Sequence, residues 1–550
     1  VYMYAIMLNR RPSAVACLMC VAILIFLFPH GSALARDSVT QPNVPMIGDY
    51  AGELREKQPR KDGFTHVDTP RLVRRLQEMG VNTYFYLIWH SASDWDDLRL
   101  EFLPAAKEAG IDVWVYLVPP SEARERRSEP YGTDYVAWMR AVGHLSRSFS
   151  NLKGVVMDDF NHNLSVFTPD YLRRMRAAGH EANPHLRFYP QIYQPAIRKE
   201  LLSRYRGLFD GIVMTYRDGI YRNTQRTQQL EHQVTQISRL LHREGLPFVL
   251  MVHASKLSAT PANPSARYVN ETLRAGLSRL TQGELQGLIT YVLQKDWFPE
   301  TRDRLAKVGH GYGCLFVPPG SHPPAGRSGE LKQVVFPEGP PPYRLTFYHR
   351  VIAPARLPAG QYIQEILVNG NRVWSQDAAI ASRKNWQQKK LDLTPWLKGK
   401  REAVLQLRLA RKQTGSRSWL FAAFDHLEAT GFKMENPEFE TAIGWTAYAD
   451  HPAIIGETLV YDPRRRMRVY LQTMTLFRAY RWQEEIASAL PEEFQKQRED
   501  FRNHLLQGRP TQALSSLDSL LKPFRQSSLE SQHRLLQEGE MLKRLLSIAQ

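Results

Sequence analysis

The chain has 550 residues, 43% of them hydrophobic and 11% aromatic, with 72 Lys and Arg against 55 Asp and Glu. That much apolar material excludes a disordered or collagen-like chain, and the length suffices for about two to four domains. The formal net charge of +17 invites nucleic acid, but the basic residues are scattered over every segment and form no stripe, so no nucleic-acid partner is expected.

Arg10 and Arg11 precede an apolar run from Ala14 to Phe28, which Ser32-Ala33-Leu34-Ala35 follows. This is the pattern of a signal peptide over residues 1–35, cleaved after Ala35, with a secreted or periplasmic destination. At about 15 apolar residues the run is short for a membrane span. Cleavage would remove Cys17 and Cys20 with the two arginines, leaving a charge of +15 and Cys314 alone. No intramolecular disulfide, cysteine metal centre or later membrane span is then expected.

From residue 45 to 312 short apolar runs alternate with amphipathic stretches, the signature of repeated β–α units. The eight strand candidates are Met46 to Tyr50, Asn82 to His90, Asp112 to Pro119, Gly154 to Asp159, Arg187 to Tyr193, Gly211 to Asp218, Phe248 to Ala254 and Gly287 to Gln294. Most are continuously apolar, as strands covered on both faces must be. Asp68-Thr69-Pro70 and Thr168-Pro169-Asp170 are helix starts. Eight such units predict an α/β fold, a (β/α)8 TIM barrel. A doubly wound sheet is the other reading, but no Gly-rich phosphate loop follows a strand.

Residues 313–342 are rich in Pro and Gly and read as a linker. Over 343–435 strand-like runs separated by turns predict an antiparallel β-sandwich, with Asn369-Gly370 as a hairpin turn. The stretch Ile366 to Trp374, followed by Leu391 to Gly399, resembles the galactose-binding-like jelly rolls appended to many glycosidases, which implies carbohydrate binding. Residues 436–550 form a mixed segment and then a helical tail. The Arg464 to Arg468 cluster there reads as a solvated helix start.

In a barrel of this kind the active site is built at the carboxyl ends of the strands. The sharpest feature is Met157-Asp158-Asp159-Phe160-Asn161-His162. Neighbouring carboxylates resist joint ionisation, so one of the pair is a candidate acid at neutral pH, which suits glycoside hydrolysis. The remaining strand ends supply Asp49, Trp89, His90, Gln191, Tyr193, Tyr216, Arg217, Asp218, His253, Lys256 and Gln294. Aromatic faces beside hydrogen-bonding groups are what a pyranose needs, so these are the candidate substrate-binding residues. His90 with Asp94, Asp96 and Asp97 offers metal-type ligands, but carboxylates ahead of a helix serve its dipole, and no metal or cofactor is expected. No Gly-x-Ser-x-Gly elbow is present.

The segment Val155 to Leu164 resembles the catalytic motif of family 84 glycoside hydrolases, the O-GlcNAcase and N-acetyl-β-glucosaminidase group. Met79 to Tyr86 is similar to that family's second-strand motif, and Gly48-Asp49-Tyr50 to its first-strand Gly-x-Tyr. The resemblance implies retaining, substrate-assisted hydrolysis of N-acetylhexosamine-containing glycans. Asp158 would orient the 2-acetamido group and Asp159 would serve as general acid and base. Leu87-Ile88-Trp89-His90 and Val252-His253-Ala254-Ser255-Lys256 stand where that family carries a lysine and asparagines. The alternative is therefore a non-catalytic carbohydrate- or cell-wall-binding protein on a degenerate barrel.

Overall fold

A computed structural model describes residues 44–548 apart from 124–127, 218–226, 256–262, 297–305, 318–320, 355–356, 381–384, 416–417, 442–443, 452, 461–463 and 528. The expected signal peptide lies outside the described residues. Eight strands form the barrel: β1 (Met46–Tyr50), β2 (Thr83–Ile88), β3 (Asp112–Leu117), β4 (Leu152–Met157), β5 (Arg187–Ile192), β6 (Ile212–Thr215), β7 (Phe248–His253) and β8 (Gly287–Tyr291). They pair in parallel in chain order, and β8 closes on β1 with Tyr50 opposite Tyr291. The helices are α1 (Thr69–Met79), α2 (Asp94–Asp97), α3 (Leu103–Glu108), α4 (Tyr135–Ser148), α5 (Pro169–Ala182), α6 (Lys199–Arg204), α7 (Leu230–Arg243) and α8 (Ala266–Thr281). A π-helical turn at Leu98–Phe102 joins α2 to α3. Asp68 and Thr168 cap α1 and α5 through the amides of Arg71 and Tyr171.

Side chains alternate along each strand and so fill two separate cores. Phe85, Trp114, Val156, Tyr189, Val213, Met251 and Ile289 pack inside the barrel, whereas Ile47, Val155, Phe188, Ile212, Leu250 and Leu288 pack outward against the helices. Gly154 stands where a Cβ would come 2.7 Å from the ring of Trp114. Only glycine leaves the barrel interior room for that indole.

A further core belongs to a β-sandwich built from β9 (Gly311–Val317), β10 (Ser328–Pro337), β11 (Arg344–Ile352), β12 (Tyr362–Val368), β13 (Asn371–Asp377), β14 (Gln387–Asp392), the short helix α9 (Thr394–Leu397), β15 (Ala403–Arg411), β16 (Leu420–Thr430), β17 (Phe432–Lys433), β18 (Thr446–Ala449) and β19 (Ile455–Val460). One sheet runs β13-β12-β15-β10-β17, with β18 also on β10, and the other runs β14-β11-β16-β9-β19. Asn369 (φ 49°) and Gly370 (φ 80°) make the hairpin turn between β12 and β13. The stretch read as a linker instead supplies β9 and β10. Strand β9 is buried throughout, and Pro337 ends β10. Cys314 is inside β9.

The tail consists of α10 (Arg465–Ile486), α11 (Gln495–Leu506), α12 (Pro510–Arg525) and α13 (Glu530–Ile548), and it is no appendage. Val469, Leu476 and Phe477 share one core with Ile47, Leu76 and Leu277. The Tyr470 hydroxyl meets Glu78 Oε2 at 3.2 Å, and Arg478 donates to the Glu78 carbonyl at 2.9 Å. Helix α10 thus lies across α8 and α1, where the helix following β8 belongs in a (β/α)8 ring. The sandwich is inserted between β8 and that helix. Arg465, expected to be solvated, is buried and donates to the carbonyls of Ala254 and Pro264. Among the described residues no helix is long and apolar enough to cross a membrane.

Candidate active site

The site grows out of the end of β4. Val156 points into the barrel, so Asp158 does too, and its Oδ1 accepts from the hydroxyl of Tyr116 at 2.7 Å. Tyr50 lies against Tyr116 (centroids 4.1 Å apart) and Tyr291 (5.2 Å), giving Asp158 a floor of three tyrosines. Asp159 would point away if the strand continued, but it adopts a left-handed backbone (φ 40°, ψ 36°). The turn brings the second carboxyl into the same mouth. Such a conformation costs a non-glycine residue of order 1–3 kcal/mol and persists only where the surroundings impose it. Here Gln191 Oε1 accepts the Asp159 amide at 2.9 Å, and Asn163 Nδ2 donates to its carbonyl at 3.0 Å. Gln191 is itself fixed by Thr215 Oγ1 at 2.8 Å.

The two carboxyl groups have opposite electrostatics. Burial holds Asp158 well above the ordinary carboxylate range, and the negative Asp159 and Glu122 reinforce it. Burial also pushes Asp159 up, but His162, Tyr193 and Arg217 together outweigh it and hold that carboxyl below its usual value. His162 Nδ1 lies 3.4 Å from Asp159 Oδ2, and its ring stacks on Tyr193. The guanidinium of Arg217 covers the other part of Tyr193, 3.6 Å from the ring centroid, and bonds its hydroxyl.

His253 ends β7 on the inward phase, with its ring centroid 4.6 Å from that of Tyr291. It is 0% exposed, and neither ring nitrogen has a hydrogen-bond partner. Burial, aided by Arg217, drives its pKa well below the normal histidine value, so the ring is neutral. Gln294 follows β8 half-buried, with a buried Oε1 also lacking a partner. Trp89 packs at the rim of the interior core, and His90 beside it contacts the Glu53 carboxylate through Nδ1. Burial raises the Glu53 pKa, but His90 and Arg55 bring it down to about 2.

Strand phase removes two expected residues from this mouth. Asp49 faces outward, 0% exposed, bonded to Thr290 Oγ1 at 2.6 Å and the Leu293 amide at 3.1 Å and ion-paired with Lys295. Tyr216 also faces outward and stacks on Tyr268 of α8. Both carry structure between barrel and helices, because each is one residue out of phase with the inward set. Asp218 and Lys256 lie outside the described residues. Asp94 accepts the amides of Trp89 and Ser91 and pairs with Arg55, and Asp97 accepts the Val67 amide. Among the described residues no group of three His, Cys, Asp or Glu side chains is arranged to hold a metal ion.

Sequence reasoning missed Glu122, Tyr50, Tyr116 and Tyr291. The tyrosines are the last inward residues of β1, β3 and β8 and were findable by counting phase from Asp158. Glu122 sits in the loop after β3, where no periodicity marks it.

No protein-family model matches the chain, and no curated protein sequence does. Solved structures do. The catalytic domain of the Ignisphaera aggregans GH53 enzyme is 14% identical, with 48% of this chain and 88% of that one covered and a TM-score of 0.32. The exo-β-1,4-mannosidase Op5Man5 from Opitutaceae bacterium strain TAV5 is 14% identical over 45% of this chain and 51% of that one (TM-score 0.34). A glucosidase from Croceicoccus marinus is 11% identical over 68% and 97% (TM-score 0.33). The likeness is distant, low in identity, and to barrel glycosidases at large, not to family 84 in particular. It goes no further than architecture.

Proposed function

We propose that the protein is an exported glycoside hydrolase whose reacting centre is the carboxyl pair at the end of β4. The observation that carries this is the split between Asp158 and Asp159. Hydrolysis of a glycosidic bond needs a proton for the departing oxygen and negative charge beneath the developing oxocarbenium ion. A mouth that keeps one carboxyl neutral and its neighbour ionised holds both requirements ready at neutral pH. Trp89 offers a ring face to sugar C–H groups, and the orphaned nitrogens of His253 offer a donor and an acceptor to a hydroxyl.

The division of labour differs from the one the family 84 resemblance implies. There Asp158 would be ionised and Asp159 would carry the proton. In this mouth Asp159 is the ionised group, facing positive charge as it develops on the sugar, either directly or through a substrate acetamido group. The test is turnover of aryl N-acetyl-β-glucosaminides and of the matching β-glucosides by wild type, Asp158→Asn and Asp159→Asn. Activity confined to the acetamido substrates supports substrate assistance. Equal turnover by both variants and wild type refutes the site. Saturable glycan binding without release of any reducing end would favour the non-catalytic alternative.

A further inference from the structure

We infer that the sugar held in this mouth carries a carboxylate, and that Arg217, with His253 beside it, is the group that recognises it. The inference rests on the hydrolase reading above and narrows its substrate class to glycans containing uronic acid. Arg217 follows β6 on the inward phase of Val213 and of Thr215, which bonds Gln191. Thr215 pairs with Met251, and the Tyr216 amide donates to the Met251 carbonyl. Carried on by two residues, that register sets Arg217 level with His253 at the end of β7. Gln233 of α7 fixes the Arg217 backbone, its Nε2 donating to the carbonyl at 3.2 Å. The guanidinium lies on the Tyr193 ring and bonds the hydroxyl through Nη2. A guanidinium stacked in this way keeps the donors on its edge for a planar anion. Here Nε has no acceptor, and among the described residues Nη1 has none and no carboxylate forms an ion pair with Arg217.

The missing counter-charge is what selects an acid over a neutral sugar. A sugar that fills the mouth expels water from it, and a guanidinium left there without acceptor or anion is strongly disfavoured. Asp159 does not relieve it at contact distance, since its Oδ2 faces His162 instead. A hydroxymethyl group would bring one neutral oxygen, whereas a carboxylate brings two acceptors in one plane together with the charge. His253 is the independent sign that a polar group belongs here: it is 0% exposed, and both ring nitrogens lack a partner. Its N–H can share the carboxylate while the other nitrogen accepts from a sugar hydroxyl. The formal charge of +17, scattered over the chain, adds attraction for a polyanion at long range without specifying where it binds.

The experiment uses the full chain and nitrophenyl glycosides, of both anomers, in pairs that differ only in carboxylate against hydroxymethyl: glucuronide with glucoside, galacturonide with galactoside. The methyl ester of each uronide serves as its uncharged counterpart. For one pair, kcat/KM of the wild type should favour the uronide over the neutral sugar and over the ester by roughly 10- to 100-fold, mostly through KM. Added salt should raise KM for the uronide alone. Arg217→Gln should bring the ratio within a pair to about one, and Arg217→Lys, which keeps the charge but loses the fork, should retain part of it. Arg217 also acts on Asp159, but any loss by that route falls on both members of a pair, so the ratio isolates the contact with the carboxylate. If Arg217→Gln does not fold, the wild-type ratio and its salt dependence decide. A wild-type ratio of one or less, a ratio that Arg217→Gln leaves unmoved, or activity confined to the N-acetyl-glucosaminides overturns the acidic substrate and leaves the hydrolase reading standing. A wild type inert toward every glycoside, charged or neutral, overturns that reading and this one together.

Discussion

Replacing Asp158 by Asn should make the protein more stable at neutral pH while it loses activity. In the folded state the Asp158 carboxyl is held well above its ordinary pKa by burial, then by Asp159 and Glu122, whereas in the unfolded chain it titrates near 4. The folded state therefore keeps a proton that the unfolded state gives up. Stability contributed by this group is intact below about pH 4 and falls as pH rises toward the folded pKa, by about 1.4 kcal/mol for each unit. The slope ends once the folded carboxyl ionises. Asn keeps the acceptor for Tyr116 and carries no such cost. Urea unfolding of wild type and variant at intervals from about pH 4 to 7 measures it, following the barrel transition by near-UV dichroism. The difference between the two proteins should be small at the acid end and grow in favour of the variant. Parallel stability profiles would refute the electrostatic reasoning, and with it the view that Asp158 is the neutral member of the pair.

His253→Phe should hold or raise stability, since two orphaned buried nitrogens disappear, while KM for the glycoside rises about tenfold or more; a thermal melt with steady-state kinetics checks both. Phe477→Ala, in the core that α10 shares with α1 and α8, should cost about 3–5 kcal/mol in the barrel transition, read by denaturant unfolding. In the sandwich, Asp425 accepts the amides of Lys307 and Val308, yet burial lifts its carboxyl to about 6. Its contribution is intact below about pH 4 and lost as pH rises through 6, so Asp425→Asn should flatten the stability profile across that window when melts are compared.

The barrel was legible because parallel strands covered on both faces leave continuous apolar runs, and all eight are found where the runs are. The sandwich boundaries were not, because the proline-rich sequence around β9 and β10 masks two strands, and β18 is only 4 residues long. The Asp158-Asp159 pair was visible as chemistry following a strand. Its partners were legible only where strand phase agrees: Gln191 and His253 face inward, whereas Asp49 and Tyr216 miss by one residue. Glu122 and Asn163 depend on two loops meeting in space, which no local pattern encodes. Helix α10 escaped recognition as part of the barrel because its burial comes from the barrel on one side and from α13 on another, so no single apolar stripe stands out.

That helix constrains how the chain comes into being. A barrel whose last helix arrives after β19 stays unsealed along the seam of β8 and β1 while roughly 170 further residues are made. The outward side chains of those two strands, Ile47 and Leu288 among them, are left without cover for that interval. The sandwich must reach its own fold while both of its ends are tethered to an unfinished ring. Any fragment cut before Arg465 would carry the whole mouth and lack the wall behind it.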